Sequence, residues 1–188
     1  MIELVRSELN SHLNTISEVN NCMDDDIANA CALAIETLKR HRKILLIGNG
    51  GSAADAQHIA AELTGRYKTE RRGLPAIALT TDTSAITAIG NDFGYDRIFD
   101  RQIESLACEG DLVVAITTSG NSANISNAIM AAKRHGCKTL GFLGKGGGSA
   151  KDLCDIALVV PSDNTPRIQE MHILFGHIIC HSVDLAFT

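Results

Sequence analysis

The sequence predicts an α/β fold: a three-layer sandwich in which helices flank a five-stranded parallel sheet. Five short apolar runs alternate with segments of helical periodicity, which is the pattern of parallel strands joined by crossover helices. The runs contain few polar residues, as expected for strands that are buried on both faces. The predicted strands are residues 43–47, 76–79, 112–116, 139–143 and 156–160.

The segments between the strands carry apolar residues at helical spacing or begin with a capping residue. In the second predicted helix, Ile27, Cys31, Ala34 and Leu38 recur every three or four residues. Ser52 is predicted to cap the helix that follows the first strand. The predicted helices are residues 3–20, 25–40, 53–64, 84–90, 96–107, 123–135, 149–153 and 165–187.

The length of 188 residues suits one α/β domain and is short for two. We therefore predict a single domain over residues 1–188, with its α/β core over residues 43–187. Residues 1–40 form two helices before the first strand, and a five-stranded sheet does not need them as cover. Two alternatives stay open: these helices pack on a second copy of the chain, giving a homo-oligomer, or they cap one sheet face.

Composition and charge disfavour several classes of protein. The formal net charge is −5, and the one basic cluster, Lys68, Arg71 and Arg72, lies near glutamates. We therefore predict a solvated loop there and no nucleic-acid binding. No apolar run reaches the roughly 18 residues of a membrane helix, and no signal peptide is evident. The six cysteines form no C-x-x-C pair and lie in apolar segments. This favours reduced core or half-buried thiols and a cytoplasmic protein.

A glycine-rich loop, residues 48–52 (GNGGS), follows the first predicted strand. Glycines let the backbone approach a ligand closely, and the helix start offers free N–H groups to an anion. The loop also matches a loose G-x-G-x-x-A dinucleotide fingerprint. The acidic residue expected at the end of the second strand is missing, however, which disfavours an oxidoreductase. A tight turn without a ligand is the remaining alternative.

A second loop, residues 117–122 (TTSGNS), follows the third predicted strand and is the more specific signal. It places four hydroxyl groups at a helix N-terminus, on the sheet edge where ligands of parallel sheets bind. Hydroxyl and backbone N–H groups together can hold a phosphate without Lys or Arg. Capping by Ser119 or Ser122 alone is the alternative, but four hydroxyls exceed what capping needs. We predict an anion site.

Two predicted helices carry side chains suited to metal binding or proton transfer. His58 and Glu62 lie one turn apart on one helix face, where they can share a metal ion, act as acid and base, or form an ordinary ion pair. Gln169 and His177 lie on the last helix, about 12 Å apart along its axis. They meet at one ion only by reaching toward each other, or if one comes from another subunit. The other histidines are predicted to be structural or to lie at the surface: His12, His41, His135, His172 and His181.

Four segments occurring together make the chain resemble the sugar isomerase (SIS) family and, within it, the sedoheptulose 7-phosphate isomerases. They are residues 48–67, 74–99, 117–124 and 159–180. The resemblance implies a homotetramer that converts D-sedoheptulose 7-phosphate to D-glycero-D-manno-heptose 7-phosphate through an enediol. In that family the reaction begins the synthesis of nucleotide-activated heptose for lipopolysaccharide. The family usually has Ser where this chain has Thr117, a difference that keeps a hydroxyl group.

The resemblance also implies roles for individual residues. One zinc ion per subunit would be held by His58, Glu62, Gln169 and His177. Glu62 would act as the catalytic base and His177 as the partner acid. By pattern alone, Asn91 and Asp92 close the 84–90 helix as a turn. Substrate contacts are implied for Asn49, Gly50, Gly51, Ser52, Glu62, Asn91, Asp92, Thr117, Thr118, Ser119, Ser122 and Gln169.

Two alternative functions come from within the same family. One relative is a non-catalytic protein that associates with the bacterial replication initiator. It lacks the residues that match Glu62 and His177, both of which this chain keeps, so the enzyme is favoured. Regulatory sugar-phosphate sensors would carry a DNA-binding domain, for which the predicted single domain leaves no room.

Overall fold

Five parallel strands form one sheet at the centre of the chain. The computed structural model describes all 188 residues. The strand order is β2-β1-β3-β4-β5, and every neighbouring pair is parallel. The predicted five-stranded parallel sheet is therefore confirmed. The strands are Ile44–Gly48 (β1), Ala76–Ala78 (β2), Leu112–Thr117 (β3), Lys138–Leu143 (β4) and Ile156–Val159 (β5).

Helices cover both faces of this sheet and complete the predicted three layers. Ile44 and Leu46 of β1 join the core beneath α2, α3 and α7, whereas Leu45 and Ile47 join the core beneath α5 and α6. Successive strand residues point to opposite faces, so one apolar run supplies both cores. The helices are Ile2–Cys22 (α1), Asp24–Lys39 (α2), Gly51–Thr64 (α3), Thr83–Phe93 (α4), Asp100–Leu106 (α5), Ala123–Arg134 (α6) and Thr165–Phe187 (α7); Tyr95–Arg97 and Lys145–Leu153 are 3₁₀ segments.

Two predicted helix ends were wrong. Helix α3 starts two residues earlier than a Ser52 cap requires: Gly50 is its N-cap, and Ser52 lies buried in the first turn. Helix α4 continues through Asn91 and Asp92 to Phe93. Gly94, with φ of 89°, ends it, because glycine adopts a positive φ at little steric cost. Asn91 and Asp92 therefore lie in the last helical turn instead of forming a turn of their own.

The predicted solvated loop is wrong for Arg71, whereas Lys68 and Arg72 of the same loop are exposed. The Arg71 side chain is 1% exposed, and its Nε donates to Asp184 Oδ1 at 2.8 Å. Its Nη2 also donates to the carbonyl of Glu62. Burial alone would raise the pKa of Asp184. The backbone N–H groups of Thr69 and Lys68, together with Arg71, outweigh burial and hold that pKa below its usual value. The pair ties the segment after α3 to the end of α7.

The two N-terminal helices behave differently. Helix α2 packs against α7 and β5. Helix α1 buries only Thr15 and Val19, and apolar side chains recur along its length in solvent. We call the exposed residues Ile2, Val5, Leu9 and Leu13 the α1 stripe. Helix α2 thus serves as cover for one sheet face, whereas α1 leaves an apolar surface without a partner in the chain.

The six cysteines are all free, as predicted. Cys137 and Cys180 are buried, and Cys31 and Cys154 are partly buried. Cys22 and Cys108 were expected in apolar surroundings but are exposed, because they lie at an outer helix end and in a loop. None of the helices combines the length and the apolar character that crossing a bilayer requires.

His172 is fully buried between α7 and β4. Its Nε2 lies 3.0 Å from the carbonyl oxygen of Leu143, and its Nδ1 has no partner. Burial lowers the pKa of His172 to about 4 from the ordinary 6.5, despite the hydrogen bond to Leu143, which acts in the opposite direction. The ring is therefore neutral at physiological pH.

We expect His172 to make folding acid-sensitive. As pH falls from 6.5 toward 4, the unfolded chain takes up a proton at this ring while the folded chain does not. Stability that is fully present above pH 6.5 is then lost, by up to about 3 kcal/mol. Denaturant titrations at pH 7 and pH 4.5 should show a smaller loss for His172→Gln than for the wild type. Equal losses in the two proteins would contradict this assignment.

Candidate active site

The two polar loops meet beyond the ends of β1 and β3. Together with α7 they line a small cavity of about 100 Å³. Thr117 Oγ1 and Ser122 Oγ lie 3.3 Å apart within it. We call this cavity the cradle, and its lining residues are Asn49, Ser52, Ile116, Thr117, Thr118, Ser119, Ser122 and Gln169.

The lining of the cradle suits an anion that is bound without cationic side chains. It includes hydroxyl and amide groups and no Lys or Arg. Helices α3 and α6 both begin beside the cradle, and helix N-termini present unpaired N–H groups and a partial positive charge. The residues of the predicted anion site thus come together from two loops, because β1 and β3 are neighbours in the sheet.

Close backbone packing holds the cradle from two sides. A Cβ atom at Gly51 would lie 2.5 Å from Gln169 Nε2, so a larger residue there would displace the end of the Gln169 side chain from the cradle. Gly120, with φ of 66°, leaves no room for a Cβ because one would overlap the carbonyl oxygen of Gly147. Ser149 N also donates to Asn121 Oδ1 at 3.0 Å. This second glycine-rich segment follows β4, and all three glycines of its GGG run, residues 146–148, have positive φ.

Three predicted side chains meet between α3 and α7: His58, Glu62 and His177. His58 Nε2 lies 3.0 Å from His177 Nε2 and 3.4 Å from Glu62 Oε1. We call them the His–Glu–His group. The helices approach closely here because Gly176 lies against Ile59, where a Cβ would stand 2.5 Å from the Ile59 side chain.

Two neighbours of this group were not predicted. The Tyr67 ring stacks on the His177 ring, with centroids 5.4 Å apart and planes inclined by 25°. Tyr67 belongs to the segment that Arg71 and Asp184 hold in place. Asp55 lies one turn before His58, and burial raises its pKa while the His58 imidazole acts to lower it. The side chains of His58 and Glu62 are 49% and 24% exposed, so the group opens to solvent.

The cradle and the His–Glu–His group lie at different levels of the α3–α7 groove. Gly51 at the start of α3 contacts Gln169, whereas Ile59 two turns later contacts Gly176. The two helices therefore run side by side in the same direction. Gln169 lies at the level of the cradle, and no hydrogen bond joins it to the three side chains. The four predicted metal ligands are thus divided between two places in one chain.

The donor atoms of the His–Glu–His group suit zinc in type. Two imidazole nitrogens and one carboxylate oxygen are common zinc ligands, and nitrogens sharing a tetrahedral zinc ion lie about 3.3 Å apart. The observed 3.0 Å between the two rings is instead a hydrogen bond. No group of three or more His, Cys, Asp or Glu side chains converges on one point as it stands. The donors fit zinc once the ring-to-ring hydrogen bond opens.

Asn91 and Asp92 lie outside the cradle. Both are exposed in the last turn of α4, where Asn91 Nδ2 donates to Asp92 Oδ1 at 2.8 Å. The segment that follows returns to the cradle, because the Tyr95 hydroxyl donates to Asn49 Oδ1 at 2.9 Å. The two predicted sugar contacts therefore lie a few residues before a residue that contacts the cradle, but they do not line it.

Known proteins match the chain along its length. The SIS domain family model matches residues 9–144. The phosphoheptose isomerase of Aliarcobacter butzleri is 62% identical over 184 residues, covering 98% of this chain and 97% of the relative. That of Nitratiruptor sp. is 57% identical over 187 residues, covering 100% of both.

Solved structures agree with the sequence comparison. The phosphoheptose isomerase of Neisseria gonorrhoeae superposes with a TM-score of 0.93 at 42% identity, covering 97% of this chain and 98% of that one. The enzyme from Francisella tularensis gives 0.95 at 37% identity, covering 98% of both. The resemblance deduced from the four sequence segments is confirmed. The chain belongs to the SIS domain family and, within it, to the phosphoheptose isomerases.

Proposed function

We propose that the chain converts D-sedoheptulose 7-phosphate to D-glycero-D-manno-heptose 7-phosphate. The observation that carries the proposal is the pairing of a hydroxyl-lined cradle with a Glu–His group in a chain of this family. The relatives that match nearly the full length of this chain are named phosphoheptose isomerase. The comparisons give no support to the alternative of a non-catalytic protein that binds the replication initiator.

The cradle binds the phosphate of the sugar in this proposal. Hydroxyl groups of Ser52, Thr117, Thr118, Ser119 and Ser122 and backbone N–H groups of residues 50 and 51 donate to its oxygens. Because the phosphate does not react, this binding energy serves to fix the position of the reacting carbons. Asn91 and Asp92 remain proposed sugar contacts.

Glu62 and His177 move the protons of the isomerisation. Glu62 takes a proton from C1, and His177 gives one to the carbonyl oxygen on C2, which produces the enediol. Glu62 then returns its proton to C2, while His177 accepts one from the oxygen on C1. No proton is gained or lost overall, so both residues end in their starting states.

Zinc is proposed as the cofactor, one ion per subunit, held by His58, Glu62, Gln169 and His177. When bound, it supplies Lewis-acid polarisation of the carbonyl and hydroxyl oxygens of the sugar. Glu62 cannot be a firmly held ligand and a free base at the same moment. We therefore propose that its carboxylate changes partners as the substrate arrives.

The distance between the cradle and Glu62 favours a site shared by two subunits. Glu62 follows Gly51 by eleven residues of α3, which is about 16 Å along the helix axis. In the extended substrate about eight bonds separate the phosphorus from C1, or roughly 10 Å. The axial separation is thus longer than the extended substrate, which favours a Glu62 that comes from another chain. We propose that the His–Glu–His group of one subunit completes the cradle of another.

The α1 stripe supplies a surface for such an assembly. Leu9 and Leu13 are 60% and 59% exposed, and apolar side chains at helical spacing favour contact with another helix. We propose a homotetramer, the assembly that membership of this family suggests. The free cysteines support a cytoplasmic location, where heptose would be supplied for lipopolysaccharide.

Glu62→Gln should abolish most activity without unfolding the protein. The change removes the base and keeps the size of the side chain, so kcat should fall roughly 10³-fold or more. A coupled assay with sedoheptulose 7-phosphate measures this loss, and Glu70→Gln, at an exposed position in the next segment, serves as the control. Turnover by Glu62→Gln near that of the control would reject Glu62 as the base.

A mixing experiment tests whether two subunits share each site. Glu62→Gln carries an intact cradle, whereas the double variant Thr118→Val/Ser119→Ala carries an intact Glu62. Co-assembled at random, the two inactive proteins should recover activity in about a quarter of the sites, because each site takes its cradle and its glutamate from different chains. Mixtures of Glu62→Gln with Glu62→Ala should recover nothing. No recovery in the first mixture would place both parts of the site in one chain.

Removal of zinc should lower both metal content and activity. After dialysis against a chelator, kcat should fall, and added zinc should restore it. Metal analysis by mass spectrometry gives a readout independent of turnover: His58→Ala should hold less zinc than the wild type, and His135→Gln at the C-cap of α6 should match the wild type. Full activity in metal-free enzyme would exclude a required metal ion.

A further inference from the structure

Asn49 is held by a polar network that the proposed reaction does not use. Its Nδ2 donates to Asn124 Oδ1 at 2.9 Å, and Asn124 Nδ2 donates back to Asn49 Oδ1 at 2.9 Å. The Tyr95 hydroxyl donates to the same Asn49 oxygen, also at 2.9 Å. Asn49 lines the cradle, whereas Asn124 and Tyr95 do not.

These bonds leave one group of the Asn49 side chain unpaired. A carboxamide oxygen accepts two hydrogen bonds, and a carboxamide nitrogen donates two. The oxygen of Asn49 already accepts from Asn124 and Tyr95, while its nitrogen donates once. The remaining N–H is therefore the only hydrogen-bonding capacity that Asn49 can offer to a ligand. An N–H group suits an anionic oxygen and does not suit a hydroxyl donor.

Asn124 is placed to control this orientation. It is 2% exposed and lies in the first turn of α6, directly after the hydroxyl loop. Asn49 belongs to the glycine loop after the neighbouring strand. The amide pair thus joins the two loops of the cradle. Leaving a buried amide without its hydrogen-bond partner costs folding free energy. The pair therefore resists rotation of either carboxamide.

We propose that Asn124 is a positioning residue, which together with Tyr95 fixes the Asn49 carboxamide with its free N–H toward the phosphate of the substrate. The proposal rests on the proposed function in taking a sugar phosphate as the ligand. It assigns no contact between Asn124 and the substrate. Asn124 acts through Asn49, so its effect on binding must disappear when Asn49 has no carboxamide.

A double-mutant cycle tests this dependence. Asn49→Ala, Asn124→Ala and the double variant are compared for KM and kcat with sedoheptulose 7-phosphate and for the Kd of inorganic phosphate. One hydrogen bond to a charged group corresponds to roughly a tenfold change in affinity. Each single variant should therefore raise KM and Kd about tenfold with little change in kcat, and the double variant should match the singles. Effects that multiply, or wild-type binding by Asn124→Ala, would overturn the proposal.

Because Asn124 is buried, replacing it risks unfolding the protein. A second variant therefore tests the same proposal at an exposed residue. Tyr95 is 59% exposed, so Tyr95→Phe removes one hydroxyl and little packing. It should weaken phosphate binding a few-fold in the wild-type background and not at all in the Asn49→Ala background. Asn29→Ala, at an exposed position on α2, is the control and should bind as the wild type does. Equal weakening by Tyr95→Phe in both backgrounds would refute a role through Asn49.

Inorganic phosphate separates this proposal from the proposed reaction. A wild-type protein that binds phosphate but does not isomerise the sugar would refute the reaction. The double-mutant cycle, measured by the Kd of inorganic phosphate, would still decide the role of Asn124. A wild-type protein that isomerises the sugar without affinity for inorganic phosphate would refute only the positioning role. If the wild type isomerises the sugar, and the Kd changes of the two single variants multiply in the double variant, only the positioning role is refuted.

Discussion

The close packing of α3 against α7 is the contact on which the rest of the site depends. Two glycines make it possible: Gly51 lies against Gln169, and Gly176 lies against Ile59. Between these contacts the helices bring His58 and His177 within hydrogen-bonding distance, although they are 119 residues apart in sequence. The buried Arg71–Asp184 pair closes the far end of the same groove. A larger residue at Gly176 would meet the Ile59 side chain and push α7 away from α3, which would separate His58 from His177.

The same helix pair places the two parts of the proposed site at different levels. The proposed phosphate site uses the start of a helix, where N–H groups are unpaired, so it lies at the edge of the sheet. The His–Glu–His group uses helix interiors, where residues four apart share a face. Both parts lie along one groove, at an axial separation longer than the proposed substrate. This separation is the ground for proposing that two chains share each site.

The sequence was sufficient for the sheet and for the local parts of the site. The five apolar runs and the TTSGNS loop are local signals, and the structure has strands and a hydroxyl cradle at those places. What it missed depends on partners far along the chain. Arg71 seemed solvated because Asp184 lies 113 residues away, and Asn124 showed no sign of pairing with Asn49, 75 residues before it. Ser52 and Asn91 were misplaced because a nearby glycine, not the polar residue, sets each helix end.

The absence of Lys and Arg from the cradle lining has a consequence for turnover. The phosphate group is the same in the sugar that enters and in the sugar that leaves, so any strength in its grip is felt equally by both. In the proposed site, hydroxyl and N–H dipoles hold the phosphate, and no Lys or Arg lines the cavity. Release of the product from that site would then break no ion pair to a cationic side chain.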